Sequence, residues 1–259
     1  MDATALRRLA GKRGSALGIL EKDQAITVAL GVFAELPAAR SLAFKGGTAL
    51  GKVYFAGYRF SEDLDFTALS DVASDVADAT DRVIAAGNRA GIRFLGIERQ
   101  PTGPRGRRLR VRYEDFNGHP NSIRVEISVR EKVLRPAESR AIRDPYRVLS
   151  KPARIPTMAL PEILAEKVRA LYMRSQARDL FDLGFLLERG IRPDPELIRA
   201  KLAWWKPDLH LDPEVVADRI GRLEATWERD LEALVDRLPP FREVATRAKT
   251  FLARASGKS

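Results

Sequence analysis

Apolar residues open the chain at helical spacing: Ile26, Leu30 and Phe33 share one face of a stretch that reads as helix from 3 to 36. The pattern then changes. SLAFKGG is a short apolar run entering a glycine turn, which predicts a strand, and TALGKVYF after it predicts a helix with Thr48 near its first residue. EDLDFTAL alternates, so on a strand Leu64 and Phe66 point one way and Asp63 and Asp65 the other. Residues 71–90 are Ala-rich and predict a helix, with Asp71 and Asp75 suited to its positive N-terminal end. Three further strands are predicted at IRFLGIERQ, RRLRVRYED and NSIRVEISV. The last two are suited to pair across FNGHP, a loop longer than a two-residue hairpin turn.

Pro136, Pro145, Pro152, Pro156 and Pro161 follow in close succession and interrupt regular structure. From Pro161 the pattern is helical to the end, with turn signals at RGIRPDP and KPDLHLDP. The expected organisation is α+β: a small mixed β-sheet domain flanked by helices over 1–140, a Pro-rich connection over 141–160, and an α-helical domain over 161–259.

Composition narrows the chemistry. The 259 residues are 45% hydrophobic, enough for a core. The 45 Lys plus Arg against 35 Asp plus Glu leave a net charge of +10, which favours a polyanionic or nucleotide partner. The absence of cysteine excludes disulfides, thiolate metal sites and a Cys nucleophile. His119 and His210 stand far apart, which argues against a histidine metal site. No signal peptide and no membrane-spanning apolar run is found, and a cytoplasmic chain is expected.

Gly46 to Lys52 match the spacing of a phosphate-binding P-loop, but Val53 stands where that loop needs a metal-binding hydroxyl. Lys52 also lies too far along the predicted helix to serve the phosphates of the glycine turn. The turn itself, Gly46-Gly47-Thr48 between strand and helix, suits an anion or a plain change of direction. Asp63 and Asp65 on one strand face repel unless a cation sits between them, and magnesium favours such oxygens. Glu126 in SIRVEIS is the candidate third carboxylate, as metal ligand or base; an ion pair with an arginine of RRLRVRY is the alternative. Arg59 and Ser61 stand just upstream, within reach of a phosphate.

K-G-G-T-A-L followed by R-F-S-E-D-L-D-F resembles the AbiEii/AbiGii toxin family of nucleotidyltransferases, relatives of DNA polymerase β. LPEILAEKVRAL and RDLFDL resemble that family's later motifs, and matching segments run from about residue 44 to 187. The resemblance implies transfer of a nucleoside monophosphate from an NTP with Mg2+, in a type IV toxin–antitoxin system, onto an RNA acceptor, the tRNA 3′ acceptor end being the target of several members. It implies metal binding by Asp63, Asp65 and Glu126, and nucleotide binding by Lys45, Gly46, Gly47, Thr48, Ser61 and Lys167. A cognate antitoxin is an expected partner. Transfer to a protein or small molecule, or a catalytically dead nucleic-acid-binding protein, are the alternatives.

Lys167 lies inside the apolar stripe of Leu160, Ile163, Leu164, Val168 and Leu171, so it snorkels out or meets an anion. Asp182, enclosed by Leu180, Phe181, Leu183 and Phe185, needs a partner, with Arg178 local and Lys167 remote. Asp179 is suited to the first helical turn. The resemblance implies that Lys167 contacts the triphosphate and that Asp182 orients it. Arg108, Arg110 and Arg112 share one strand face and suit RNA phosphates, or a solvated face paired to acids. Lys45 and Lys52 are open between phosphate, RNA and solubility. Trp204, Trp205 and Trp227 suit core closure better than base stacking.

Overall fold

The computed structural model describes residues 1–70, 79–102 and 106–255. The chain divides into two compact units, Met1–Met158 and Ala159–Ser259. The helical stretch expected over 3–36 breaks at Gly14 into α1 (Ala3–Arg13) and α2 (Leu17–Ala34). Asp2 caps α1 by accepting from the Ala5 N–H. The one-faced pattern expected around Ile26 and Leu30 understates α2, which also buries Glu21, Asp23, Gln24 and Thr27. Such a helix needs polar partners inside the protein, and it finds them below.

Seven strands build the first unit's sheet: β1 (Leu42–Lys45), β2 (Asp63–Ala68), β3 (Arg93–Gln100), β4 (Gly106–Glu114), β5 (Pro120–Ser128), β6 (Glu138–Ala141) and β7 (Arg154–Thr157). Their spatial order is β3-β4-β5-β2-β1-β7-β6. β2 is central, antiparallel to β1 on one side and parallel to β5 on the other. β4 and β5 pair antiparallel, as their alternation predicts. Their loop is held by Asp115, whose Oδ1 accepts from the Asn117 and His119 N–H groups at 2.8 and 2.9 Å. Within the stretch 141–160 expected as a connection, β7 joins the sheet parallel to β1.

The helix expected at TALGKVYF is a single α turn, α3 (Gly46–Ala49), that widens into a π turn at Leu50–Tyr54. Of the helix expected over 71–90, α4 (Thr80–Ala90) is described; 71–78, with Asp71 and Asp75, lie outside the described residues.

The second unit is helical: α5 (Leu160–Met173), α6 (Ala177–Glu188), α7 (Pro195–Trp205), α8 (Pro213–Arg222), α9 (Trp227–Leu231) and α10 (Phe241–Ala255). The two expected turn signals end in N-caps, Asp194 and Asp212, each followed by proline at the first helical position. Trp227 is core, 2% exposed, and its indole N–H donates to the Pro239 carbonyl at 3.0 Å. Among the described residues no helix is long and apolar enough to cross a membrane.

Candidate active site

The alternation of β2 decides which of its residues face the chemistry. Leu64 and Phe66 are buried at 0% and 2% exposure, while Asp63 and Asp65 project from the opposite face. Register then aligns charged partners across the sheet. Asp65 is opposite Lys45 on β1 and opposite Glu126 on β5, and Glu126 is opposite Arg108 on β4. One step along the same face, Asp63 is opposite Arg124, itself opposite Arg110. The acids thus sit centrally and the arginines lie toward the β3 edge.

Ion pairs knit this face together. Arg124 Nε stands 3.4 Å from Asp63 Oδ1, and Arg108 Nε 3.1 Å from Glu126 Oε1. Arg112, expected with Arg108 and Arg110 in one row, pairs with Glu98 at 3.5 Å. Glu126 therefore forms the arginine ion pair expected as its alternative, and it stands next to Asp65 across the sheet. The ammonium of Lys45 is paired with Glu131.

The glycine turn is shaped by what presses against it. Gly46 has φ +76°, and a Cβ there would stand 2.6 Å from Asp65 Oδ2. A Cβ on Gly47 would meet Arg59 Nη2 at 2.4 Å. Arg59 is buried, donates to the Phe60 carbonyl at 3.0 Å and lies over the Tyr58 ring. One glycine thus admits a carboxylate to the turn and the next admits a guanidinium. Ser61 is half-buried two residues before β2. The Thr48 hydroxyl, expected to face a phosphate, instead donates to the Asp63 carbonyl, because Thr48 is 2% exposed against β2. Its single proton fixes the strand that bears the acids.

Lys52 is removed from phosphate altogether. Its Nζ donates to Asp23 Oδ2 at 2.6 Å, to Thr27 Oγ1 at 2.7 Å and to the Asp23 carbonyl at 3.1 Å. All three ammonium protons are used. Tyr146 donates its hydroxyl to the same Asp23 oxygen at 2.6 Å. Burial pulls the Lys52 pKa below the ordinary lysine value, against the opposing pull of Asp23.

In the second unit, Lys167 on α5 is 7% exposed and reaches Asp182 Oδ2 at 2.7 Å and Asp179 Oδ1 at 3.0 Å. Lys167 thus meets anions rather than snorkelling, and it is the remote partner of Asp182. Asp179, suited on sequence to the first turn of α6, also receives Arg174 Nε at 2.9 Å and Nη2 at 3.1 Å. Burial alone would raise the Asp179 pKa; Lys167 and Arg174 outweigh it and hold the carboxyl below its ordinary range. A second buried lysine, Lys201 on α7, pairs with Glu162 at 2.6 Å and Glu166 at 3.1 Å. None of that cluster is signalled in the sequence, since its partners lie on different helices.

Among the described residues no group of three or more His, Asp or Glu side chains converges as a metal cage. The donor chemistry nevertheless fits a hard dication. Asp63 and Asp65 offer carboxylate oxygens on one face, and magnesium is commonly held by one or two carboxylates together with substrate phosphates.

A mixed sheet with paired acids on its central strand, beside a glycine turn, is the arrangement of a nucleotidyltransferase. The chain belongs to the family described as nucleotidyl transferase AbiEii toxin, type IV TA system, whose model matches residues 29–250. Its fold is shared with MenT4, nucleotidyltransferase toxin Rv2826c from Mycobacterium tuberculosis H37Rv, at a TM-score of 0.71 and 24% identity, over 100% of this chain and 95% of that one. JHP933 from Helicobacter pylori superposes with a TM-score of 0.62 at 22% identity, over 94% of each chain. No curated protein matches the chain. The protein is a nucleotidyltransferase, and its family makes an NTP the substrate and an antitoxin the partner.

Proposed function

We propose that the chain transfers a nucleoside monophosphate from an NTP to RNA, at the 3′ acceptor end of tRNA, and so blocks translation. The observation that supports this most is the register of β2 and β5, which sets Asp63, Asp65 and Glu126 on one face beside the Gly46–Gly47 turn. Asp63 and Asp65, with Glu126, are the residues to hold Mg2+, which when bound neutralises triphosphate charge. The glycines of the turn let the Asp65 carboxylate and the Arg59 guanidinium approach the backbone, so a metal ligand and a fixed cation stand together beside the proposed triphosphate position.

The acceptor hydroxyl oxygen attacks the α-phosphorus in line. The new bond is phosphorus to acceptor oxygen; the bond to the β-bridging oxygen breaks, and pyrophosphate leaves. Glu126 is proposed to take the hydroxyl proton. Lys167, oriented by Asp182, is proposed to answer triphosphate charge, with Asp179 and Arg174 keeping its ammonium in place. The +10 charge supports RNA over a small acceptor.

The test offers each α-labelled NTP with Mg2+ and total tRNA to the protein and to the Asp63→Ala, Asp65→Ala variant. Label entering tRNA with the unmutated protein alone is the expected result. Label on protein alone moves the acceptor to a side chain. No transfer to anything, with RNA binding kept by the variant, removes the enzymatic reading.

A further inference from the structure

Arg110 and Arg124 are direct partners on β4 and β5, and Arg108 stands two residues along the same face. These three guanidiniums, with Gln100, Pro101 and Glu126, surround a cleft of about 280 Å³. Like charges directly opposite on neighbouring strands destabilise a sheet, and this pair is flanked by an acid on each side, Glu98 opposite Arg110 and Asp63 opposite Arg124. Two of the arginines are answered by acids, Arg108 by Glu126 and Arg124 by Asp63. Arg110 forms no ion pair among the described residues. The side chains of Arg108 and Arg124 remain 52% and 58% exposed, so their pairs are weak and exchange partners readily.

The acids that hold these arginines are the same ones assigned to the metal. A dication on Asp63 and Glu126 competes directly with the two guanidiniums. With both acids committed to arginine, Asp63 and Glu126 each hold one guanidinium at the cleft, while Glu98, opposite Arg110 on β3, pairs with Arg112. With the acids committed to a dication, Arg108 and Arg124 lose the partners they now hold and their guanidiniums are released beside Arg110.

We propose that arginines and a divalent cation exchange on Asp63 and Glu126, so that metal binding releases Arg124 and Arg108 to join Arg110 in binding the phosphates of single-stranded RNA. This rests on the transferase reading and adds regulation to it: the RNA subsite becomes fully charged only when the metal is in place. By reciprocity, RNA tightens the metal by the same factor. The direction is diagnostic, because Mg2+ ordinarily competes with a protein for nucleic-acid phosphates and weakens binding.

The experiment measures anisotropy of a short labelled single-stranded RNA without NTP, with and without Mg2+ at constant ionic strength. The expected result is a tightening of about fivefold or more on adding Mg2+. An Asp63→Asn, Glu126→Gln variant is expected to bind tightly without metal and to ignore Mg2+. Arg108→Gln, Arg110→Gln, Arg124→Gln is expected to lose the metal-dependent gain. Unchanged or weakened binding of the unmutated protein on adding Mg2+ overturns the inference, as does a normal Mg2+ response in the double acid variant, or no RNA binding at all. NMP transfer measured in parallel separates the two claims. Transfer with metal-insensitive RNA binding defeats the exchange alone; exchange without transfer defeats the transferase reading alone.

Discussion

Two sets of carboxylates in this protein answer cations in opposite surroundings. Asp63 and Glu126 keep 30% and 42% of their side chains exposed and meet arginines at the open face of a sheet. Asp179 and Asp182 keep 1% and 0% and meet Lys167 inside a helical layer. An exposed pair contributes about 0–1 kcal/mol because water answers either partner when the other leaves. A buried pair, once broken, strands a charge where water cannot reach it, at about 3–5 kcal/mol. The sheet face is therefore built to change partners, whereas the helical cluster is built to hold one ammonium in one place.

The largest expected effect breaks the buried side of this comparison. Lys167→Met leaves two buried carboxylates without their lysine and should lower unfolding free energy by about 3–5 kcal/mol, read from denaturant midpoints. Acid should probe the same cluster without mutation. The folded-state pKa of Asp179 lies below its ordinary value, so its contribution is fully present above the ordinary carboxylate range. That contribution is lost as pH falls through the lowered value. Stability of the unmutated protein should drop there, and Asp179→Asn, measured over the same pH range, should flatten that part of the curve.

Gly46→Ala acts between the two extremes. Its φ of +76° and the closeness of Asp65 predict a loss of about 1–2 kcal/mol, together with reduced transfer as the carboxylate shifts. The smallest expected effect on stability is that of Glu126→Gln, within about 1 kcal/mol by thermal unfolding, alongside a marked fall in transfer. A large loss of stability there would show that the sheet face is scaffold after all.

The sequence made β2, β4 and β5 readable because alternation over half-buried strands leaves a period-two record. Leu64 and Phe66 against Asp63 and Asp65 is such a record, and so is Leu109 and Val111 against the arginines. The α+β class followed from the same strands and from the helical text after Pro161. Other features left no local trace. Lys52 reads as half of a phosphate motif because its partners, Asp23 and Thr27, stand on a distant helix. Asp179 reads as a first-turn acid because Lys167 and Arg174 approach it from α5 and the turn that follows. The π turn at Leu50–Tyr54 is likewise a tertiary product: it places Lys52 against α2, and its spacing resembles an ordinary helix in sequence. The direction of the Thr48 hydroxyl is tertiary too, since only the packing of α3 on β2 turns it to the Asp63 carbonyl.

The central claim is that Asp63 and Asp65 support nucleotidyl transfer from the open face of the sheet. Its most direct measurement is transfer of α-labelled NMP to tRNA by the unmutated protein and by Asp65→Asn, each confirmed folded by its unfolding midpoint. The account predicts labelled tRNA with the unmutated protein and loss of label with the variant at nearly unchanged stability. Equal labelling by both would contradict it.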